Sequence, residues 1–160
     1  MKDIIIAFKK IKKDSNIICK LIGLKEKTKY CHVEIAFEYE CNPGTYKSVV
    51  AIGGKGDVHY EDRKFEKEDW DIMKLPVSCE AYENAKRICD GYIGHKYDFL
   101  GIFGFILPFK DRSNEWFCSE IAANTLKYIG VAYFKFIEAS DVGIRKLLDL
   151  LDFDNNKIKR

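Results

Sequence analysis

Tyr30-Cys31-His32-Val33-Glu34-Ile35-Ala36-Phe37-Glu38-Tyr39 alternates with a period of two: Cys31, Val33, Ile35, Phe37 and Tyr39 point one way, His32, Glu34 and Glu38 the other. Side chains on a β-strand point to opposite faces in turn, so this stretch predicts a strand with one apolar face and one face carrying a histidine and two glutamates. It is the clearest strand in the sequence, and the rest of the fold is read outward from it.

On its N-terminal side, Ile4 to Phe8 reads as a short buried strand. Ser15 stands where an N-cap belongs, and Ile17, Ile18, Leu21 and Ile22 share one helical face, closed by Gly23. On its C-terminal side, Asn42-Pro43-Gly44 marks a turn, and Tyr46 to Ile52 forms the second strand of an antiparallel hairpin, ended by Gly53-Gly54. Trp70 to Leu75, with Pro76 beyond, adds a strand. Ser78 caps a helix with Ala81, Ala85, Ile88 and Cys89 inward, stopped by Gly91 or Gly94.

The aromatic, glycine-rich stretch Tyr97 to Phe105 fits helix or loop equally well. After a polar loop from Lys110 to Glu115, Cys118, Ile121, Ala122, Leu126 and Ile129 recur at helical spacing, and Gly130 stands at the C′ position. A last amphipathic helix spans Asp141 to Asp152 with Val142, Leu147, Leu148 and Leu151 inward, and the tail 154–160 frays. Strands first and helices later indicate an α+β domain with helices packed on an antiparallel sheet. No linker or repeat divides the chain, so 1–160 is read as a single domain.

With 47% hydrophobic and 32% charged residues, the composition excludes disordered and fibrous classes. The longest apolar run, Phe99 to Phe109, is too short and glycine-interrupted to span a bilayer, and Met1-Lys2-Asp3 does not begin a signal peptide; the expected location is the cytoplasm. Net charge is +2, yet residues 1–30 hold nine lysines against Asp3, Asp14 and Glu26, a local +6. Such a run is a solvated face or, alternatively, a surface for polyanion or membrane.

None of the six cysteines (19, 31, 41, 79, 89 and 118) shows paired zinc spacing. Cys118 is the one placed in the first turn of a helix, where unpaired N–H groups and the macrodipole stabilise a thiolate and also an oxyanion. The plain alternative is a buried structural cysteine opening an apolar stripe. Glu120 counts against the thiolate if its side chain turns inward. His32 supplies a base on the polar side of its strand. The third group, which fixes the tautomer, is Glu34 on the same strand face or Ser48 on the following strand, where it can lie opposite His32. His59 and His95 read as exposed. Adjacent strand residues face opposite ways, so Cys31 and His32 do not share a metal, and neither metal nor cofactor is expected.

Lys29-Tyr30-Cys31-His32-Val33-Glu34-Ile35 resembles the histidine strand, and Trp116-Phe117-Cys118-Ser119-Glu120 the cysteine helix start, of circularly permuted cysteine peptidases of the NlpC/P60 (papain-like) superfamily, in which histidine precedes cysteine. The similarity is closest to small phage and bacterial proteins of uncertain role. They share a glycine-rich turn, here Gly53 to Val58, the strand Trp70-Asp71-Ile72-Met73-Lys74-Leu75-Pro76 and the segment Tyr97-Asp98-Phe99-Leu100-Gly101, so the resemblance covers about residues 4 to 130. It implies a permuted papain-like fold, with Cys118 as nucleophile, His32 as base and a polar residue on a neighbouring strand as orienter. The second strand reads Tyr46-Lys47-Ser48-Val49-Val50, where related members carry Glu or His. The expected function is a monomeric cysteine hydrolase acting on a peptide, amide or acyl substrate through an acyl-enzyme. The alternatives are an acyltransferase, or an idle binding module that contacts polyanion, membrane or a host protein through the lysine-rich region.

Overall fold

The computed structural model describes residues 1–51, 57–97 and 115–158. In chain order these form β1 (Lys2–Lys10), α1 (Ile17–Glu26), β2 (Tyr30–Tyr39), β3 (Asn42–Val50), β4 (His59–Arg63), β5 (Trp70–Val77), α2 (Cys79–Asp90), β6 (Lys96–Tyr97), β7 (Glu115–Trp116), α3 (Cys118–Tyr128) and α4 (Ile144–Ile158). The fold is α+β. Five antiparallel strands lie in the order β4-β3-β2-β1-β5, and β6 and β7 form a separate parallel pair.

The register sorts the side chains into two layers. Ile4, Ile6 and Phe8 of β1 stand beside Phe37, Ile35 and Val33 of β2, and this face is covered by Ala85 and Cys89 of α2, Ile121, Ala122 and Leu126 of α3, and Leu147 and Leu151 of α4. Burying each such aliphatic side chain contributes about 1.5–3 kcal/mol, which makes this layer the principal core. On the reverse face Ile5, Ala7 and Ala36 pack with Tyr46, Trp70 and the partly buried Phe65. That second layer buries both sides of β2, so residues 30–37 are closed off without interruption. The polar side of the strand is therefore an interior, and the buried polar groups on it must be paired.

Several boundaries differ from the sequence reading for local reasons. The N-cap of α1 is Asn16, whose side chain accepts from Cys19 N, whereas Ser15 Oγ accepts from Lys12 N. The helix continues through Gly23 to Glu26, ending on Lys27 in the left-handed region. The β2–β3 turn is Glu40-Cys41, with Tyr39 opposite Asn42, so Asn42-Pro43-Gly44 lies inside β3 beside a register shift at Glu38/Tyr39. Pro76 lies within β5, where an edge strand tolerates a missing N–H.

Ser78 caps α2 through a bond from Ala81 N, and Gly130 adopts φ +87°, both as expected. The last helix starts at Ile144, because Ala139–Asp141 forms a 3-10 turn, and its backbone runs on to Ile158 through most of the tail 154–160. Residues 53–56 of the glycine-rich turn and the stretch 98–105 lie outside the described residues. No described helix is long and apolar enough to cross a membrane.

Candidate active site

The register of the reverse face assembles a polar row. Lys9 of β1 stands opposite both His32 of β2 and Trp70 of β5, which brings the His32 and Trp70 rings edge to face with centroids 6.3 Å apart. Ala7 stands opposite Glu34, and Ala36 opposite Ser48. The small side chains of Ala7 and Ala36 leave room for polar groups in an otherwise apolar layer.

Glu34 is the hub. Its side chain is fully buried, and its carboxylate is acceptor-only, so His32 Nε2 must carry the proton in their 3.3 Å contact with Oε1. Ser48 Oγ donates to Oε2 at 2.6 Å. Arg63, at the end of β4, donates from Nη2 to Oε1 at 3.1 Å and from Nε to Oε2 at 3.3 Å. Burial opposes the charged carboxylate, but the hydrogen bond and charge of His32, the Ser48 hydroxyl and the Arg63 guanidinium outweigh it and hold Glu34 below the ordinary carboxylate range.

With Nε2 committed to Glu34, Nδ1 is the ring nitrogen left for Cys118, which acts on His32 through its charge and as a hydrogen-bond partner. Full burial disfavours the imidazolium. The Cys118 charge and hydrogen bond, with the same two contributions from Glu34, overcome that penalty and raise the His32 pKa to about 10. The ladder between β2 and β3 stops at Ile35 and Val49, so the edge of β2 beside His32 is left open by β3. Cys118 at the start of α3 acts on the histidine, while Ile121, Ala122 and Leu126 of the same helix pack in the core on the other face.

Cys118 is the first residue of α3 and is half-buried. The first bond within the helix runs from Ile121 N to Phe117 O, so the N–H groups of Cys118 and Ser119 have no helical acceptor. Phe117 has no side chain able to cap this end. Glu120 compensates by turning its Oε2 back to Phe117 N at 3.0 Å, and its carboxylate is committed there.

The structure thus brings together Cys118, His32, Glu34 and Ser48, with one correction: Ser48 reaches Glu34 from opposite Ala36, and is not opposite His32. Arg63 was missed. In His59-Tyr60-Glu61-Asp62-Arg63 it reads as part of a charged surface strand; the available signal was its strand parity, which places it on the face of Ser48. His59 is only half-exposed and contacts Asp57 O and Glu61, whereas His95 is exposed.

A second thiol contact lies beside the site. Cys19 of α1 hydrogen-bonds Cys31, and that bond, with help from the charges of Lys9 and His32 and against burial, lowers the Cys19 pKa to about 6. The Cys31 thiol is pushed up by the same bond and by its own burial. Elsewhere, four of the N-terminal lysines are ion-paired: Lys2 with Glu40, Lys10 and Lys29 with Asp71, and Lys12 with Asp69.

No protein-family model matches the chain, and no curated protein is similar to it.

Proposed function

We propose that the chain is a cysteine hydrolase in which Cys118 is the nucleophile, His32 the base and Glu34 the group that orients the base, built on a permuted papain-like domain of the NlpC/P60 kind. The observation that carries this reading is the continuous chain of contacts from the Cys118 sulfur through His32 to Glu34, starting at the N-terminus of a helix. A thiolate there meets an imidazolium and the backbone N–H groups of Cys118 and Ser119 at the helix start, the conditions that activate a thiol.

In the proposed reaction the Cys118 thiolate attacks an acyl carbonyl carbon, forming the C–S bond while the carbonyl π electrons move to oxygen. The backbone N–H of Cys118 donates to that oxyanion. Collapse of the intermediate breaks the bond to the amine or alcohol, which leaves with the His32 proton, and a thioester remains. Water then gives a proton to His32 and attacks the thioester, releasing the acid and restoring the thiolate. An acyltransferase would use the same residues with a second nucleophile in place of water.

Screening the protein and its Cys118→Ala variant against peptide, amide and acyl-ester substrates tests the proposal. Turnover with a covalent acyl adduct on Cys118 supports it, and turnover that survives Cys118→Ala refutes it.

A further inference from the structure

The helix α1 turns an apolar stripe outward. Ile17, Leu21 and Leu24 are 69%, 39% and 78% exposed, and at 3.6 residues per turn they fall within about 60° of one another on the helix surface. Burial of the opposite side accounts for the rest of the helix: Gly23 is buried and approaches so closely that a Cβ would run into the Ile11 side chain, while Ile22 packs on the principal core and Cys19 contacts Cys31. The stripe is therefore not a slipped core face. It is a second apolar surface on a helix already seated.

Its flanks are basic. Lys20 borders the stripe on one side and Lys25 on the other, Lys27 forms the C-cap, and Lys13 precedes the helix; all four are exposed. The ion pairs that neutralise Lys2, Lys10, Lys12 and Lys29 involve none of Lys13, Lys20 and Lys27. An apolar ridge between rows of lysines matches the boundary between acyl chains and anionic headgroups, where apolar side chains sink in and lysines extend to the phosphates. Three side chains are too small a patch for a stable protein interface, which needs about 800 Å² from each partner. Nucleic acid would leave the ridge facing water.

We propose that the outward face of α1 docks the protein on an anionic lipid surface. The docking is independent of chemistry at Cys118. Because α1 packs against β2, the strand that carries His32, docking also sets the site beside the bilayer.

Sedimentation with phosphatidylcholine vesicles, with and without phosphatidylserine, tests this. The whole chain is expected to bind the phosphatidylserine-containing vesicles, less so as salt rises, and to bind neutral ones far more weakly. Leu24→Asp should lower binding about tenfold or more by placing a charge where a leucine was buried. Lys20→Glu and Lys25→Glu should each lower it about fivefold or more. Leu24 is exposed, so these variants should fold, and unchanged alkylation of Cys118 verifies that they do. The proposal is overturned by absence of binding to phosphatidylserine vesicles, by binding that Leu24→Asp leaves intact, or by a Leu24-dependent dimer or nucleic-acid complex formed in place of vesicle binding.

Discussion

His32 Nε2 and Glu34 Oε1 stand 3.3 Å apart on one strand, with the His32 side chain 9% exposed and that of Glu34 sealed from solvent. Side chains two residues apart on a strand run side by side, so this contact requires an interior on that face to hold both groups together. Trp70 across β1 and Tyr46 on β3 supply it. The pair then behaves as one electrostatic unit with the sulfur of Cys118.

The first consequence concerns pH. His32 is expected to keep its proton to about pH 10, read from its ring nitrogen shifts by NMR. Glu34→Gln and Cys118→Ala should each bring the midpoint down, because each removes a charge that holds the proton. The folded value exceeds the ordinary 6.5, so the stability contributed by the pair is fully present below about pH 6.5 and is lost as pH rises through about 10. A His32 midpoint at or below 6.5 would contradict the arrangement.

Arg63→Met removes the guanidinium partner of a buried carboxylate. Breaking a fully buried pair costs about 3–5 kcal/mol; with the Arg63 side chain 27% exposed, a loss of about 2 kcal/mol in urea unfolding is expected. The His32 midpoint should move with it, which a purely structural role for Arg63 would not produce.

Ser48→Ala deletes one hydrogen bond to the same charged carboxylate, a loss of about 1.5–3 kcal/mol. Since Ser48 acts on Glu34 and does not touch His32, alkylation of Cys118 should slow less than in Glu34→Gln. Equal slowing in the two variants would show that the hydroxyl does more than hold the carboxylate.

Cys19 should be a second acid-reactive thiol. With a pKa of about 6, it is expected to alkylate below pH 8 in the native protein, and Cys31→Ala should return it towards the ordinary thiol range. Mass spectrometry of separated peptides distinguishes it from Cys118, and an unchanged Cys19 profile in Cys31→Ala would refute the contact.

Much of this was legible in the alternation of residues 30–39, which gave the strand, the histidine and its glutamate. Local spacing also placed Cys118 at a helix start and Ser78 and Gly130 at their caps. Other features depended on distant partners. The reverse face of β2 reads as solvent-facing because the residues that cover it, Tyr46, Phe65 and Trp70, come from three other segments. Ser48 stands opposite Ala36 because of a register shift at Glu38/Tyr39 that no composition signal marks. Arg63 sits among charges in sequence and finds Glu34 only when β4 pairs with β3. The lysine run looked like one basic patch, but Asp69 and Asp71 neutralise Lys10, Lys12 and Lys29 within it.

The most direct test of the central claim is the pH dependence of alkylation at Cys118, in the native protein and in His32→Ala, with the exposed thiols Cys41 and Cys79 of the same chain as internal standards. An activated pair predicts that Cys118 reacts fast well below pH 8 and loses that advantage in the variant. Reaction of Cys118 no faster than Cys41 and Cys79, or unchanged in His32→Ala, would contradict the hydrolase reading.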